Sequence, residues 1–283
     1  MLSGQGGGPA AYGNRILALF SESDIDLLSP HLQDVVLPEQ SVLSERNDRE
    51  EHVYFPYRGT ASLLAPMADG TAVELAITGR DGVIGCLSAL GLPQAFAKTV
   101  VNVEMGAHRI ATRRLSEILP RAETLRMALS AEAGRLMFQV QQLSGCNALH
   151  PIEQRLARLL LHSADCLGDN NIPFTQELMS QMLGVQRTTI NLVVRSMVTT
   201  GIVRSRRGRV EIIERRVLES KACECYASIR SQLGRATSPL GHAAQSAPQE
   251  SDAVGGALFR ADGDEATFPA KEQQPFRTIT PRF

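Results

Sequence analysis

The segment from Phe174 to Arg209, FTQELMSQMLGVQRTTINLVVRSMVTTGIVRSRRGR, sets two amphipathic runs on either side of a glycine and ends on a basic turn. Few folds accept that order. Thr175 can cap a helix, because its hydroxyl can accept an orphan backbone N–H two or three residues on. Leu178, Met182 and Leu183 recur at helical spacing, and Gly184 breaks the run where a sharp turn is needed. A second helix follows, with Ile190, Val193, Val194, Met197 and Val198 on one face. Its other face shows Gln186, Arg187, Thr188, Asn191 and Arg195. This layout predicts a helix-turn-helix, whose second helix lies in the DNA major groove and meets base edges near its N-terminus.

Two short helices joined at a glycine also occur in domains that never touch DNA, so the next stretch carries weight. Ile202 and Val203 open a strand, Val210, Ile212 and Ile213 form its return, and Gly208 sits where a hairpin turn needs positive φ. Arg204, Arg206, Arg207 and Arg209 crowd that turn. A solvated charge run usually mixes signs, whereas this one is all positive and reads as a wing that grips phosphates. The whole chain is near neutral, with a formal net charge of −1. Its distribution is not. Residues 14–120 hold 9 basic against 14 acidic side chains, a net of −5, while residues 186–216 hold 8 against 2, a net of +6. An acidic body with a compact basic patch fits a protein that docks one face onto DNA.

With 283 residues the chain has room for two modest domains and tails. It contains no apolar run of about 18 residues, so no transmembrane helix is expected. The N-terminus lacks the charged and apolar regions of a signal peptide, and a cytoplasmic location is expected. Five cysteines, an odd number spread along the chain, argue against a disulfide framework. Residues 1–13, rich in glycine, and residues 236–283, rich in Ala, Ser, Gln, Pro and Gly, are expected to be disordered.

Three pieces lie between. Residues 14–120 read as mostly β, with runs at Val35–Leu37, His52–Phe55, Thr60–Leu64, Ala72–Ile77, Gly82–Leu87 and Val100–Glu104, preceded by short helices at Asn14–Phe20 and Ser23–Leu28. Turn signals at Pro38, Pro56/Gly59, Asp69-Gly70, Arg80–Gly82 and Gly106 separate the strands, which predicts an antiparallel barrel or roll. Residues 121–149 carry a helical pattern in which Ala122, Leu129, Leu136 and Leu143 fall seven apart, with Leu125, Ala133 and Val140 beside them. That repeat suggests a coiled-coil seam against an identical partner; the alternative is a helix packed on its own barrel. Residues 150–230 hold the helix-turn-helix and wing. His150-Pro151 restarts the helix, Ile152–Leu161 packs beneath the motif, and residues 215–230 read as one closing helix.

At these residues the chain resembles the Crp/Fnr superfamily of bacterial transcription regulators across about residues 15–228. The segments that carry the resemblance are CNALHPIEQRLARLLL (146–161), FTQELMSQMLGVQRTTIN (174–191) and RRVLESKACECY (215–226). Residues 52–91 resemble the β-roll of the same group. The resemblance implies an α+β chain: an antiparallel β-roll of the cyclic-nucleotide-binding-like jelly-roll type, a long dimerisation helix and a winged helix-turn-helix. It implies a homodimer on palindromic duplex DNA, with RNA polymerase as a further partner and no membrane role. Gln186, Arg187, Thr188 and Asn191 would face bases, since arginine suits guanine and asparagine or glutamine suits adenine.

The sensor departs from the cyclic-AMP-binding relatives. They use a Gly-Glu pair and then an Arg-Ser or Arg-Thr pair, whereas here Gly85 precedes Cys86, and the second stretch reads Ala95-Phe96-Ala97-Lys98. Lys98 offers a point charge without a bidentate fork. Cyclic AMP is not expected, and neither is the iron–sulfur cofactor of another branch, because no cysteine precedes Cys86. No cofactor is called for. Cys146 and His150 stand four apart, and Cys223 and Cys225 follow the wing. Four soft ligands could bind zinc or sense oxidants if placed tetrahedrally, but the spacing is not a standard zinc pattern. Buried cysteines often serve as small hydrophobes, so packing is the reading adopted and no metal is expected. His162 and Cys166, also four apart, rank lower still. No P-loop, Gly-x-Gly-x-x-Gly or HExxH motif is present, and an enzyme is not expected. Two alternatives stay open: an effector-independent regulator, and a ligand- or metal-binding roll whose helical domain only oligomerises.

Overall fold

The computed structural model describes residues 12–236; both predicted disordered tails lie almost wholly outside the described residues. In chain order, α1 (Glu22–Leu28) leads to β1 (Gln33–Leu37), β2 (Val42–Ser44), β3 (His52–Pro66) and β4 (Ala72–Thr78). Then come α2 (Cys86–Ala89), β5 (Lys98–Ala111), α3 (Thr112–Ile118), α4 (Glu123–Leu149) and α5 (Ile152–Leu167). The chain continues through β6 (Asn171–Ile172), α6 (Gln176–Leu183), α7 (Arg187–Thr199), β7 (Val203–Arg206), β8 (Arg209–Ile212), α8 (Arg215–Lys221) and α9 (Cys225–Ala236). No described helix is long and apolar enough to cross a membrane.

The N-terminal sheet is antiparallel, in the order β1-β5-β3-β4, with β2 also paired to β5. Side chains alternate along the two long strands, so Val53, Phe55 and Ile110 are buried on one face against α1 and α3, while Val101, Met105 and Ala107 are buried on the other. Asp69-Gly70 forms the predicted hairpin turn between β3 and β4: Gly70 has φ +83°, and the Met67 N–H donates to the Thr71 carbonyl at 2.8 Å. The expected break at Pro56/Gly59 does not occur. β3 runs through it with register shifts between Pro56 and Ala61. Gly59, at φ +76°, fits there because a Cβ would collide with the Glu104 carbonyl oxygen. Gly82–Leu87 is not a strand either. Ile84 makes one isolated bridge to Tyr54, and Gly85, at φ +80°, then turns the chain into α2. Its apolar run reflects burial of Val83, Ile84 and Cys86 in the core.

α4 packs much of its seven-residue repeat on the chain's own core. Ala122, Leu125 and Leu129 are buried in the core that joins the roll to α1, α2 and α3, and Leu143 is buried farther along. Between them the inward face carries Glu132, Arg135 and Gln139, all buried. The Arg135 guanidinium donates to both Glu132 oxygens at 2.6 Å, and Glu132 also accepts from the Val83 N–H at 3.1 Å. The seven-residue repeat is therefore largely spent on the chain's own roll. The exposed side of α4 shows Met127, Gly134, Met137 and Gly145.

The second large core belongs to the C-terminal module. Leu156, Leu159, Leu160 and Ala164 of α5 meet Met179, Met182, Ile190, Val194, Val203 and Val210. Ile77 of β4 is buried in the same core, so α5 packs against the roll as well as beneath α6 and α7. The expected closing helix over 215–230 is two helices, α8 and α9, broken at Ala222-Cys223-Glu224.

Candidate nucleic-acid interface and a thiol–imidazole cluster

The helix-turn-helix forms as the local chemistry directs. The Thr175 hydroxyl accepts from the Leu178 N–H at 3.1 Å, and Gly184 ends α6 in the left-handed region at φ +61°. Arg155 of α5 secures the turn from below: its guanidinium donates to the Leu183 carbonyl at 2.6 Å and to Asn147 Oδ1 at 3.0 Å. α7 buries Ile190, Val193, Val194 and Met197. Its opposite face leaves Gln186, Arg187, Thr188, Asn191 and Arg195 exposed. Leu192, 69 % exposed on that side, escapes a sequence pattern because an apolar residue there resembles core.

β7 and β8 make the wing, with Arg206 opposite Arg209 and Gly208 at φ +73° in the turn. β6 completes a three-stranded sheet in the order β6-β8-β7. Arg204 pairs with Glu211 across the strands at 2.8 Å. Arg206, Arg207 and Arg209 are exposed and make no ion pair among the described residues. The all-positive tip is therefore less neutralised than its base.

In the roll, Gly85, Cys86, Phe96 and Ala97 line a small cavity together with Glu50, Thr78, Thr99 and Leu136 of α4. It offers about 50 Å³ of space to water, well below the roughly 300–1,000 Å³ of small-molecule sites. Phe96 is 64 % exposed at its rim. Lys98 lies beyond, tied to Glu45 at 2.7 Å. Burial raises the Cys86 thiol to about 12, so it stays protonated at neutral pH.

Residues 154–221 match the Crp-like helix-turn-helix domain. The C-terminal module is a Crp-like helix-turn-helix domain. A comparison with curated protein sequences finds no match. Solved structures share the fold of the described chain. FixK2 from Bradyrhizobium japonicum superposes with a TM-score of 0.60 at 14% identity, over 68% of this chain and 98% of that one. The c-di-GMP-responsive global regulator CLP from Xanthomonas campestris gives 0.57 at 14% identity, over 68% and 99%. A putative Crp/Fnr-family transcriptional regulator from Eubacterium rectale gives 0.57 at 16% identity, over 71% and 94%.

Buried and half-buried polar groups anchor the Crp-like domain. Arg215 of α8 donates to Asp165 of α5 at 2.5 Å and to the Tyr226 hydroxyl of α9 at 2.8 Å, and that hydroxyl donates to Asp165 at 2.9 Å. Toward the roll, Arg158 and His162 of α5 are 1 % and 2 % exposed. Glu74 of β4 is equally buried and accepts from the Ser62 hydroxyl at 2.8 Å. Burial pushes the Glu74 carboxyl up while the Arg158 charge opposes it. Sequence inspection alone does not place these residues in the interior, because charged side chains read as surface.

The Crp-like domain meets α4 at a further cluster. Cys146 and His150, one turn apart at the end of α4, face Cys223 and Cys225 from the break between α8 and α9. One ligand atom from each lies within 4.8 Å of all the others. Cys146 Sγ is 3.6 Å from Cys223 Sγ, and Cys225 Sγ is 3.5 Å from His150 Nδ1. The hydrogen bond from Cys223 draws the Cys146 thiol down to about 4 and pushes Cys223 up. All five cysteines are free and buried.

Proposed function

We propose that this chain is a cytoplasmic, sequence-specific transcription regulator that binds inverted-repeat operators as a homodimer. The observation that carries the reading is the pairing of an exposed polar α7 face with a wing tip whose three arginines have no acidic partner among the described residues. Gln186, Arg187, Thr188 and Asn191 stand at the N-terminal end of α7, where a recognition helix meets base edges. Leu192 suits a thymine methyl group. Arg195 and the wing residues Arg206, Arg207 and Arg209 suit phosphates, with Arg204 in a supporting place because Glu211 already pairs with it. Duplex DNA, a second copy and, at promoters, RNA polymerase are the partners. A second chain would pack on the exposed side of α4 around Met127, Gly134 and Met137, because the opposite side is occupied by the roll.

Control is proposed to act on the position of the Crp-like domain. Gln186 and Arg187 line a groove whose other wall is Val73, Lys98 and Asn102 of the roll. A signal that changes the population of this arrangement changes access to the base-reading residues.

The test is selection of duplexes from a randomised pool with full-length protein, beside measurement of mass in solution. Recovered sites should be inverted repeats with half-site centres about 10–10.5 bp apart, bound by a species of twice the 30.7 kDa chain mass. Arg187→Ala should cost about 1–3 kcal/mol and relax one base position. Removing Arg206, Arg207 and Arg209 together should flatten the salt dependence, by about 0.9 in log–log slope for each phosphate that is no longer neutralised. A monomer with no enriched sequence, unaffected by either change, would refute the reading.

A further inference from the structure

We propose that Cys146, His150, Cys223 and Cys225 hold one zinc ion in tetrahedral Cys3His coordination, clipping the end of α4 to the start of α9. Zinc lies about 2.3 Å from thiolate sulfur and about 2.0–2.1 Å from imidazole nitrogen. A tetrahedron of those arms has edges of about 3.8 Å between sulfurs and about 3.5 Å between sulfur and nitrogen. The Cys146–Cys223 separation of 3.6 Å and the Cys225–His150 separation of 3.5 Å match both. No pair exceeds 4.8 Å, so the remaining edges close by about 1.3 Å at most through side-chain rotation.

The surroundings are those of a ligand set and not of simple packing. His150 Nδ1 faces the sulfurs, while its Nε2 lies 3.1 Å from the Glu224 carboxylate. That partner fixes the tautomer that leaves Nδ1 free to bind, as metal-bound histidines require. Gln142 Nε2 donates to Cys225 Sγ at 3.1 Å, a bond that favours a thiolate. Leu143, Ile229 and Phe138 enclose the sulfurs in apolar surface, and His150, with 18 % of its side chain exposed, leaves a way in. Binding displaces the proton from each thiol that carries one. The resulting centre, three thiolates and a neutral imidazole on Zn²⁺, has a charge of −1, which Arg155 and Arg158 on α5 oppose.

Other occupants fit less well. A Cys146–Cys223 disulfide would need the sulfurs to close to about 2.0 Å and would leave Cys225, His150 and their polar partners without a purpose. An iron–sulfur cluster spreads its ligands over several irons, farther apart than the 4.8 Å that bounds every pair here. The break at Ala222-Cys223-Glu224 also acquires a reason, because one continuous helix could not turn both cysteines toward α4. The site stands whether or not the Crp-like domain binds DNA.

Elemental analysis of full-length protein, purified with reductant and without chelator, should find close to one zinc per chain. Exchange with Co(II) alone should give the intense visible absorption and thiolate charge-transfer band of a tetrahedral sulfur site. Cys223→Ser and Cys225→Ser should each weaken zinc binding more than tenfold, and Glu224→Gln roughly 10–100-fold through loss of the histidine's support. His150→Cys, which keeps four soft ligands, should still bind. Should the serine variants fail to fold, the cobalt spectrum of the unaltered chain decides alone. Metal-free protein with only the weak spectrum of octahedral cobalt would overturn the proposal. So would iron in place of zinc, or a Cys146–Cys223 disulfide in protein isolated without oxygen.

Discussion

His162 sits on α5 with both ring nitrogens buried and without a partner among the described residues. Burial, aided by Arg158 and Arg135 and opposed by Asp81 and Asp165, lowers its pKa from 6.5 to about 4. The imidazole is therefore neutral in the folded chain at pH values where the unfolded chain is protonated. Between about pH 6.5 and 4 the unfolded state binds more protons, so this residue makes stability rise with pH and fall on acidification. The full window corresponds to about 3 kcal/mol, and a step from pH 7.5 to 5 to about 2 kcal/mol. Glu74 acts in the opposite sense, because its raised pKa favours the folded state at low pH. The contribution of His162 is thus read as a difference between two proteins. His162→Leu removes the titration, and its loss of two unpaired buried nitrogens should leave stability at pH 7.5 equal or higher. Urea titrations at fixed protein concentration should show the unaltered chain losing about 2 kcal/mol more than the variant at pH 5. With m near 2 kcal/mol/M that is a midpoint shift of about 1 M. Parallel pH profiles for the two proteins would refute the reasoning, since they would mean the ring is solvated or paired.

Three further substitutions probe the packing. Arg135→Met leaves the Glu132 carboxylate buried and unpaired beneath Gly82 and should cost about 3–5 kcal/mol by urea titration, with part recovered by adding Glu132→Gln. Gly79→Val places a side chain 2.9 Å from the Cys166 carbonyl oxygen, where β4 meets α5. It should cost about 1–3 kcal/mol and speed proteolysis at the Gly168–Asn170 turn. Thr175→Ala removes the cap of α6 and should cost about 1 kcal/mol without altering the salt dependence of DNA binding.

What is legible in the sequence is local. Thr175, Gly184 and Gly208 act within three or four residues of themselves, and Asp69-Gly70 turns between neighbouring strands, so period and turn chemistry suffice to place them. The polar face of α7 follows from its apolar one. What escapes is long-range or inverted in polarity. Glu132, Arg135, Arg158 and His162 are buried, yet a hydropathy pattern assigns such residues to the surface, so α4 reads as a free seam. The break between α8 and α9 has no proline or glycine to announce it. Cys146 and Cys223 are 77 residues apart, and their convergence depends on how α4 and α9 pack, which no spacing rule encodes.

The end of β4 shows how the roll and the Crp-like domain can share free energy. Side chains alternate along a strand, so Thr78 lines the roll cavity while its neighbours Ile77 and Gly79 face α5. Ile77 is part of the core of the Crp-like domain, and Gly79 lets the Cys166 carbonyl approach closer than any side chain would permit. Close-packed contacts of this kind transmit a displacement because they have no slack to absorb it. α5 in turn holds the Leu183 carbonyl through Arg155, and Leu183 ends α6, the helix that precedes α7. A displacement of Thr78 would meet α5 at its neighbours Ile77 and Gly79, and α5 is in turn hydrogen-bonded to the end of α6. The coupling requires differential binding to two positions of β4. Widening of the roughly 50 Å³ cavity is the change that would supply it.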